Sequence, residues 1–170
     1  TFIIAEIGIN HNGNLDLAKQ LIDQAVWAGA NCAKFQMRHL KEIYQNEGNP
    51  NDPSEDLGSQ YILDVITRSQ LSVEKIFELF DYCREKKITP LCTPWDISSV
   101  SALEEYGISG YKVSSADLTN HDLIESIAKT EKPMILSTGM STEREVIETV
   151  DFRKRLGAPY ILLNCNSTYP

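Results

Sequence analysis

The sequence predicts an α/β protein, because short apolar runs alternate with longer amphipathic segments along its 170 residues. Each apolar run is nearly continuous, which is typical of parallel strands covered on both faces. Six strands are predicted: Phe2–Ile7, Cys32–Gln36, Ile88–Thr93, Gly110–Ser114, Pro133–Thr138 and Tyr160–Cys165. The last four begin about 22, 23 and 27 residues apart, which is the length of one strand, one helix and two short loops.

Six such units in series fit two architectures, an open doubly wound sheet and a TIM (β/α)8 barrel. The regular period favours the barrel. A complete barrel has eight strands and about 250 residues, so we expect this chain to supply about six βα units of a longer barrel protein.

The segments between the strands predict amphipathic helices and their caps. The apolar stripes are Leu15, Ala18, Leu21, Ile22, Ala25 and Val26 in one helix, Val73, Ile76, Phe77 and Phe80 in a second, and Val146, Ile147 and Val150 in a third. The predicted helix starts are Ser72, Thr119 with Asp122, and Thr142 with Glu145, and the predicted left-handed ends are Gly29, Gly107 and Gly157.

Residues 40–71 interrupt this period. Residues 45–56 are rich in turn-forming and acidic side chains, which predicts a long, mobile loop on the carboxyl side of the strands. Barrel enzymes bind their substrates on that side. Both a lid over a site and a simple solvated insertion fit this composition.

Composition excludes several classes of function. The chain has 16 basic and 24 acidic residues, a net charge of −8 and a pI near 4.9, which disfavours binding to nucleic acid or to an anionic membrane surface. No apolar run approaches the roughly 20 residues of a membrane-spanning helix. Thr1–Glu6 lacks the basic segment that begins a signal peptide.

The four cysteines form no CxxC pair, and the three histidines are scattered, so zinc binding is disfavoured; the residues are Cys32, Cys83, Cys92, Cys165, His11, His39 and His121. We expect reduced, buried thiols in a cytoplasmic protein.

Polar side chains gather where the predicted strands end. Glu6 lies in the first strand, where a carboxylate is costly to bury unless it is paired or functional. Lys34 and Gln36 share one face of the second strand, and Lys112 lies in the fourth. A single strand-end hydroxyl is commonly a cap, and a single lysine commonly reaches solvent. Two lysines and several hydroxyls at one rim instead predict a site for a small phosphate or carboxylate.

The same strand ends carry six motifs in order: Glu6–Gly13 (EIGINHNG), Lys34–Gln36 (KFQ), Thr93–Asp96 (TPWD), Tyr111–Ser115 (YKVSS), Leu136–Met140 (LSTGM) and Asn164–Pro170 (NCNSTYP). Together they resemble the sialic acid synthase (N-acetylneuraminate synthase) family over essentially the whole chain. Legionaminic, pseudaminic and spore-coat sugar synthases share the pattern, so the resemblance does not specify the sugar.

The resemblance implies a condensation of phosphoenolpyruvate with an N-acylated hexosamine such as N-acetylmannosamine, giving a nonulosonic (sialic) acid and phosphate. It implies that phosphoenolpyruvate is held by Lys34, Thr93, Lys112, Ser115 and Ser137, and that Gln36, Ser167 and Tyr169 lie near the sugar. Glu6 and Asp117 would face the reacting centre. Many relatives have Glu at position 117 and His at position 164, where this chain has Asp117 and Asn164.

The resemblance also implies parts that lie outside these 170 residues. A divalent metal, manganese or magnesium, would act on the sugar aldehyde through histidines beyond the sixth strand, so no metal ligand is expected within the chain. The last two βα units and a C-terminal antifreeze-like domain would follow, and the full-length protein would be a homodimer. Residues 1–170 would then be the N-terminal part of the catalytic barrel.

Two other functions stay open. Lys112 could be the nucleophile of a Schiff-base aldolase, which borohydride trapping with a keto acid would reveal. Alternatively, the chain could be a non-catalytic fragment that binds a phosphorylated ligand without turnover.

Overall fold

The computed structural model describes residues 1–43 and 65–166, and all six predicted strands are present. They are β1 (Ile4–Gly8), β2 (Cys32–Met37), β3 (Thr89–Pro94), β4 (Tyr111–Val113), β5 (Met134–Ser137) and β6 (Tyr160–Leu163). The helices are α1 (Leu15–Trp27), α2 (Leu40–Ile43), α3 (Val73–Glu85), α4 (Ile97–Tyr106), α5 (His121–Ala128) and α6 (Glu143–Leu156), with a 3-10 turn at Ser115–Asp117.

The predicted loop at 40–71 is partly helical. It begins with α2, and residues 65–69 are also helical. The acidic stretch at 45–56 lies outside the described residues.

The chain forms two compact units, Thr1–Pro90 and Leu91–Pro170. In the first unit β1 pairs in parallel with β2. In the second, β3 pairs with β4, β4 with β5 and β5 with β6, again in parallel. Each pair joins consecutive strands, as expected when a helix returns the chain to begin the next parallel strand.

The first unit has its core between its strands and α1 and α3. The buried residues of α1 are Ala18, Ile22 and Ala25, and those of α3 are Ile76, Leu79, Phe80 and Cys83. The ring of Phe80 lies 5.8 Å from that of Phe35 in β2. Both helices therefore bury a stripe with the predicted period, although Val26 at the end of the predicted α1 stripe is exposed.

In the second unit, two predictions about burial are wrong. Residues Ile161 and Leu162 of β6 are exposed, so this strand is not covered on both faces. Helix α6 buries Thr149 and Arg153 rather than its predicted apolar stripe. Arg153 is buried because its Nη2 donates to the carbonyl of Ala158 and its guanidinium lies 4.2 Å from the Tyr160 ring centroid.

Most of the predicted caps are confirmed. Ser72 caps α3, and Thr142 forms a reciprocal capping box with Glu145 at the start of α6. The start predicted at Thr119 is wrong, because the Asn120 side chain accepts the Leu123 N–H and caps α5. The three predicted helix-end glycines, Gly29, Gly107 and Gly157, all have left-handed backbone angles.

The cysteines are free, and three of the four are buried. Burial raises the pKa of Cys32 and of Cys83 to about 12. Cys165 is only half-buried, so the prediction of four buried thiols is wrong at this position. Among the described residues, no helix has the length and apolar character that crossing a membrane requires.

Candidate functional site

The carboxyl end of β1 contains a bulge. Glu6 pairs with Lys34, but the next partner, Phe35, lies opposite Gly8, so Ile7 is an extra residue in β1. Gly8 has a φ of 53°, a left-handed value that suits glycine. Bulges redirect the side chains that follow them, and here the polar segment Asn10–Gly13 begins directly after the strand.

Glu6 and Lys34 form an ion pair at this strand end, with Oε2 and Nζ 2.6 Å apart. The Lys34 side chain is 7% exposed and the Glu6 side chain 59% exposed. Glu6 is therefore paired, as a carboxylate in an apolar strand is expected to be unless it is functional, and the Lys34 ammonium is the desolvated member of the pair. A buried cation with a solvent-accessible counter-charge is suited to receive an anionic ligand.

His11 organises the loop that follows β1. Its side chain is 2% exposed, and its Nδ1 accepts the Gly13 N–H at 3.1 Å. Burial lowers the pKa of His11, and a hydrogen bond to the Gly8 carbonyl only partly opposes this effect. His11 is therefore a neutral structural residue of the loop, as its position in a turn-rich segment suggests.

The lowered pKa of His11 predicts that the stability of the fold depends on pH. Because the pKa is lower in the folded chain than its ordinary value of about 6.5, the unfolded chain binds more protons below that pH. The contribution of neutral His11 to the free energy of unfolding should therefore be fully present above pH 6.5. The free energy of unfolding should decrease as the pH falls below this value. Urea titrations between pH 5 and 7.5 should show a smaller decrease in His11→Asn. The exposed His121 gives the control, and an equal decrease in His11→Asn and His121→Asn would contradict this role.

Gly13 lies against the chain that returns at residues 65–70. Its φ is 74°, and a Cβ atom there would lie 2.5 Å from the Arg68 carbonyl oxygen. Gly29 has a similar φ of 78° with no atom within 4 Å of its Cβ position. We expect Gly13→Ala to lower the free energy of unfolding by about 1–3 kcal/mol more than Gly29→Ala, because only the first substitution adds a clash. Equal losses in urea titrations would contradict the close approach.

Gln36 has a fixed side-chain amide. The Arg38 Nη2 donates to Gln36 Oε1, and the Gln70 side chain donates to the Arg38 carbonyl at 2.7 Å. A pocket beside it is lined by Ile9, His11, Gln36, Arg38, Ile66, Ser69, Gln70, Leu71 and Ile76. Since Oε1 is engaged by Arg38, the Gln36 Nε2 group is the end available as a donor to a ligand. Arg38 escaped the sequence analysis because it follows β2 outside the motif KFQ.

In the second unit, Lys112 is the centre of a donor cluster. It is 6% exposed, and its Nζ donates to Ser137 Oγ at 2.5 Å and to the Val113 carbonyl at 2.6 Å. The register explains the contact, because Lys112 pairs with Ile135, two residues before Ser137. Residues two apart share a face, and the long lysine side chain extends along the sheet to the hydroxyl.

The hydroxyl of Ser115 joins the same cluster from the 3-10 turn after β4. It accepts the Gly139 N–H at 3.1 Å and lies 3.5 Å from Cys165 Sγ. Thr93 is 2% exposed. Its neighbour Cys92 pairs with Tyr111, so Thr93 lies at the same level of the sheet as Lys112. Of the five predicted phosphoenolpyruvate ligands, the structure thus brings Lys112, Ser115 and Ser137 into one cluster of the second unit.

Asp117 is held in place by its own turn. Its carboxylate accepts the Ser114 hydroxyl at 2.6 Å and the Asn120 amide at 3.3 Å, and the residue is 8% exposed. These bonds fix the orientation of the carboxylate, and they also join it to the cap of α5. The predicted sugar ligands Ser167 and Tyr169 lie outside the described residues.

The Lys112 cluster has the composition of an anion site. It contains a buried ammonium, two serine hydroxyls and the backbone N–H of Gly139, gathered at the carboxyl ends of β4 and β5. Fixed donors in a desolvated setting suit phosphate and carboxylate oxygens. Sequence reasoning missed one member, Cys165, because a cysteine at the end of an apolar strand resembles an ordinary core residue.

These features define the class: an α/β protein of parallel strands with a cluster of hydrogen-bond donors at the strand ends. A sequence profile of the NeuB family matches residues 21–170. The chain belongs to the NeuB family.

Similar proteins support this assignment over the whole chain. An N,N'-diacetyllegionaminic acid synthase of Campylobacter jejuni is 36% identical across 100% of this chain and 52% of its own length. The human N-acetylneuraminate-9-phosphate synthase is 33% identical across 99% of this chain and 47% of its own. The chain therefore spans about half the length of these relatives.

A solved structure carries the same fold. The N-acetylneuraminic acid synthetase of Leptospira borgpetersenii, crystallised with citrate, superposes with a TM-score of 0.87 at 32% identity, covering 99% of this chain and 55% of that one. The fold is therefore α/β, with about six βα units of a TIM barrel, as the period of the strands predicts.

Proposed function

We propose that this chain carries the phosphoenolpyruvate site of a nonulosonic acid synthase, a transferase that condenses phosphoenolpyruvate with an N-acyl hexosamine. The observation that carries the proposal is the Lys112 cluster, in which a buried ammonium and two serines form a donor set for an anion. Relatives named as legionaminic, pseudaminic and N-acetylneuraminate-9-phosphate synthases support the class of product. The family resemblance further leads us to propose a cytoplasmic homodimer for the full-length protein.

The proposed reaction balances with water as the third reactant. C3 of phosphoenolpyruvate forms a bond to the aldehyde carbon of the open-chain sugar, whose oxygen takes up a proton. Water adds to C2, and inorganic phosphate leaves with the bridging oxygen by C–O cleavage. The products are one nonulosonic acid and one phosphate, so neither an oxidant nor a reductant is needed.

Each candidate residue has a distinct role in this reaction. The proposed ligands of phosphoenolpyruvate are Lys34, Thr93, Lys112, Ser115 and Ser137, and those of the sugar are Gln36, Ser167 and Tyr169. Positive charge and fixed hydroxyls bind the phosphate and the carboxylate and hold C3 in an attacking position. Glu6 and Asp117 would transfer protons to and from the water and the aldehyde oxygen.

The divalent metal implied by the family is proposed to be held by residues outside this chain. When bound, such an ion polarises the sugar aldehyde. The two candidate carboxylates do not form a ligand set with the groups around them, since Glu6 binds Lys34 and Asp117 accepts from Ser114 and Asn120. We therefore assign no ligand from these clusters to the metal.

A Schiff-base aldolase is a weaker candidate. Its lysine needs a free lone pair on Nζ to attack a carbonyl. Lys112 instead donates hydrogen bonds to Ser137 and to the Val113 carbonyl, an arrangement suited to a binding ammonium.

Isotope transfer distinguishes these functions. Phosphoenolpyruvate labelled with 18O in the C–O–P bridge is supplied with N-acetylmannosamine and Mn²⁺ to the full-length protein that contains this chain. We expect phosphate to carry the label and its release to require the sugar, as read by mass spectrometry. Label retained in the organic product, or a borohydride-trapped adduct on Lys112, would contradict the proposal. Calorimetric binding of phosphoenolpyruvate without turnover would favour a non-catalytic ligand-binding role.

A further inference from the structure

Cys165 lies where donors of the Lys112 cluster converge. Its Sγ is 3.5 Å from Ser115 Oγ, and the Ser137 hydroxyl and the backbone at Gly139 and Thr138 contribute to lowering the pKa of the thiol. The residue is only half-buried, unlike the other three cysteines. Nothing in the proposed reaction uses this thiol.

The other hydrogen bonds of the two serines indicate which protons the sulfur can accept. The Gly139 N–H donates to Ser115 Oγ, and the Lys112 ammonium donates to Ser137 Oγ. Each serine oxygen is thus already an acceptor, and its own proton is free to be donated onward. Cys165 Sγ, in contact with Ser115 Oγ and affected by the Ser137 hydroxyl, is an acceptor within reach of these protons.

We propose that Cys165 is a positioning residue of the anion site, which accepts the hydroxyl protons of Ser115 and Ser137 in the ligand-free protein and yields them to the phosphoryl oxygens when phosphoenolpyruvate binds. This inference rests on the proposed function, because it assigns the two serines to the same ligand. It adds that the donors are oriented before the ligand arrives, which reduces the reorganisation that binding requires.

The electrostatics of the thiol support this geometry. Burial raises the pKa of Cys165, but the hydrogen bonds from Ser115, Ser137, Gly139 and Thr138 lower it further than burial raises it. The net pKa is lower than that of an ordinary thiol, whereas burial raises the pKa of Cys32. Donors that stabilise a thiolate also stabilise a phosphate oxygen, so the two anions compete for the same protons.

Because the thiolate and the phosphate oxygens compete for the same protons, we expect ligand binding to change the reactivity of the Cys165 thiol. The rate of Cys165 alkylation by iodoacetamide follows its thiolate fraction and is measured by peptide mass spectrometry on the full-length protein that contains this chain. We expect Ser115→Ala and Ser137→Ala each to slow alkylation at pH 7 by about 3- to 10-fold, the effect of one lost hydrogen bond. The pH profile should shift to higher pH, whereas the exposed Ser101→Ala should leave it unchanged.

Binding gives the second measurement. Saturating phosphoenolpyruvate should slow alkylation by at least tenfold, and inorganic phosphate should have a smaller effect in the same direction. In calorimetry, Cys165→Ala should weaken phosphoenolpyruvate binding by about 3- to 10-fold, because the serine protons lose their acceptor. Cys165→Ser should restore most of the affinity, since its hydroxyl also accepts hydrogen bonds. A purely structural role would change neither the alkylation profile nor its response to the ligand.

The results distinguish failure of the inference about Cys165 from failure of the proposed function. Unchanged alkylation in both serine variants would overturn the inference, as would calorimetric binding of phosphoenolpyruvate that leaves the alkylation rate unchanged. Binding equally weakened in Cys165→Ser and Cys165→Ala would also contradict it. If phosphoenolpyruvate does not bind at all, the proposed function fails and the inference fails with it.

Discussion

Replacing Lys112 with methionine is expected to weaken phosphoenolpyruvate binding by about 10- to 100-fold. A hydrogen bond to a charged group contributes about 1.5–3 kcal/mol, and each 1.4 kcal/mol corresponds to a tenfold change in affinity. Methionine keeps the length and the apolar part of the side chain, so the packing around β4 is retained. Calorimetry on the full-length protein that contains this chain measures the loss, and thermal unfolding verifies that the variant is folded.

The control for this substitution is Lys129→Met at the C-cap of α5. Lys129 is also a lysine, but its side chain is 72% exposed and is paired with Glu125 of that helix. Its replacement should leave the affinity within about twofold, since surface ion pairs contribute little. Unchanged binding in Lys112→Met would contradict the anion site, whereas equal losses in both variants would indicate a nonspecific effect of charge.

Glu6→Gln is expected to reduce turnover by about 10²- to 10⁴-fold in the full-length synthase, with little change in melting temperature. Glutamine keeps an oxygen that can accept from Lys34, but it removes the charge and the basicity that proton transfer requires. Because the retained oxygen still accepts from the buried Lys34 ammonium, we expect the fold to be kept. The measurements are steady-state phosphate release and thermal unfolding of the same preparation.

Glu78 on α3 provides a matched control, because it forms an ion pair with Lys19 at the same distance of 2.6 Å and its side chain is 50% exposed. Glu78→Gln should leave turnover unchanged. If Glu6→Gln melts early and keeps its turnover per folded molecule, Glu6 is a structural partner of Lys34 and not a catalytic residue.

Local signals were predicted well from the sequence, because short segments determine them. The capping box of Thr142 and Glu145 depends on two residues three apart, and it forms as expected. At α5 the same reasoning chose Thr119, but the adjacent Asn120 is an equally good cap and takes the position. Strand order and spacing were also predictable, since they follow from the apolar period.

The burial of a side chain could not be predicted from the sequence where it depends on residues that are distant along the chain. Arg153 was not expected in the core, because its two compensating contacts, with Ala158 and the Tyr160 ring, come from the loop and strand after α6. Cys165 escaped notice for a similar reason, since its partners Ser115 and Ser137 are 50 and 28 residues away in sequence. Glu6 was recognised as a site residue, but the exposure of its side chain could not be inferred from its position in an apolar strand.

The extra residue in β1 has a consequence for how the length of this segment can vary during evolution. Ile7 has no partner of its own in β2, yet it separates Glu6, opposite Lys34, from Gly8, opposite Phe35. Deleting Ile7 would restore an uninterrupted ladder, which is locally favourable, but it would draw His11 and Gly13 together one position towards the strand and disturb the close approach of Gly13 to the Arg68 carbonyl. Selection for the loop therefore opposes the deletion that the sheet alone would tolerate, so homologues should vary in side chain at this position while keeping the residue count between Glu6 and Gly13.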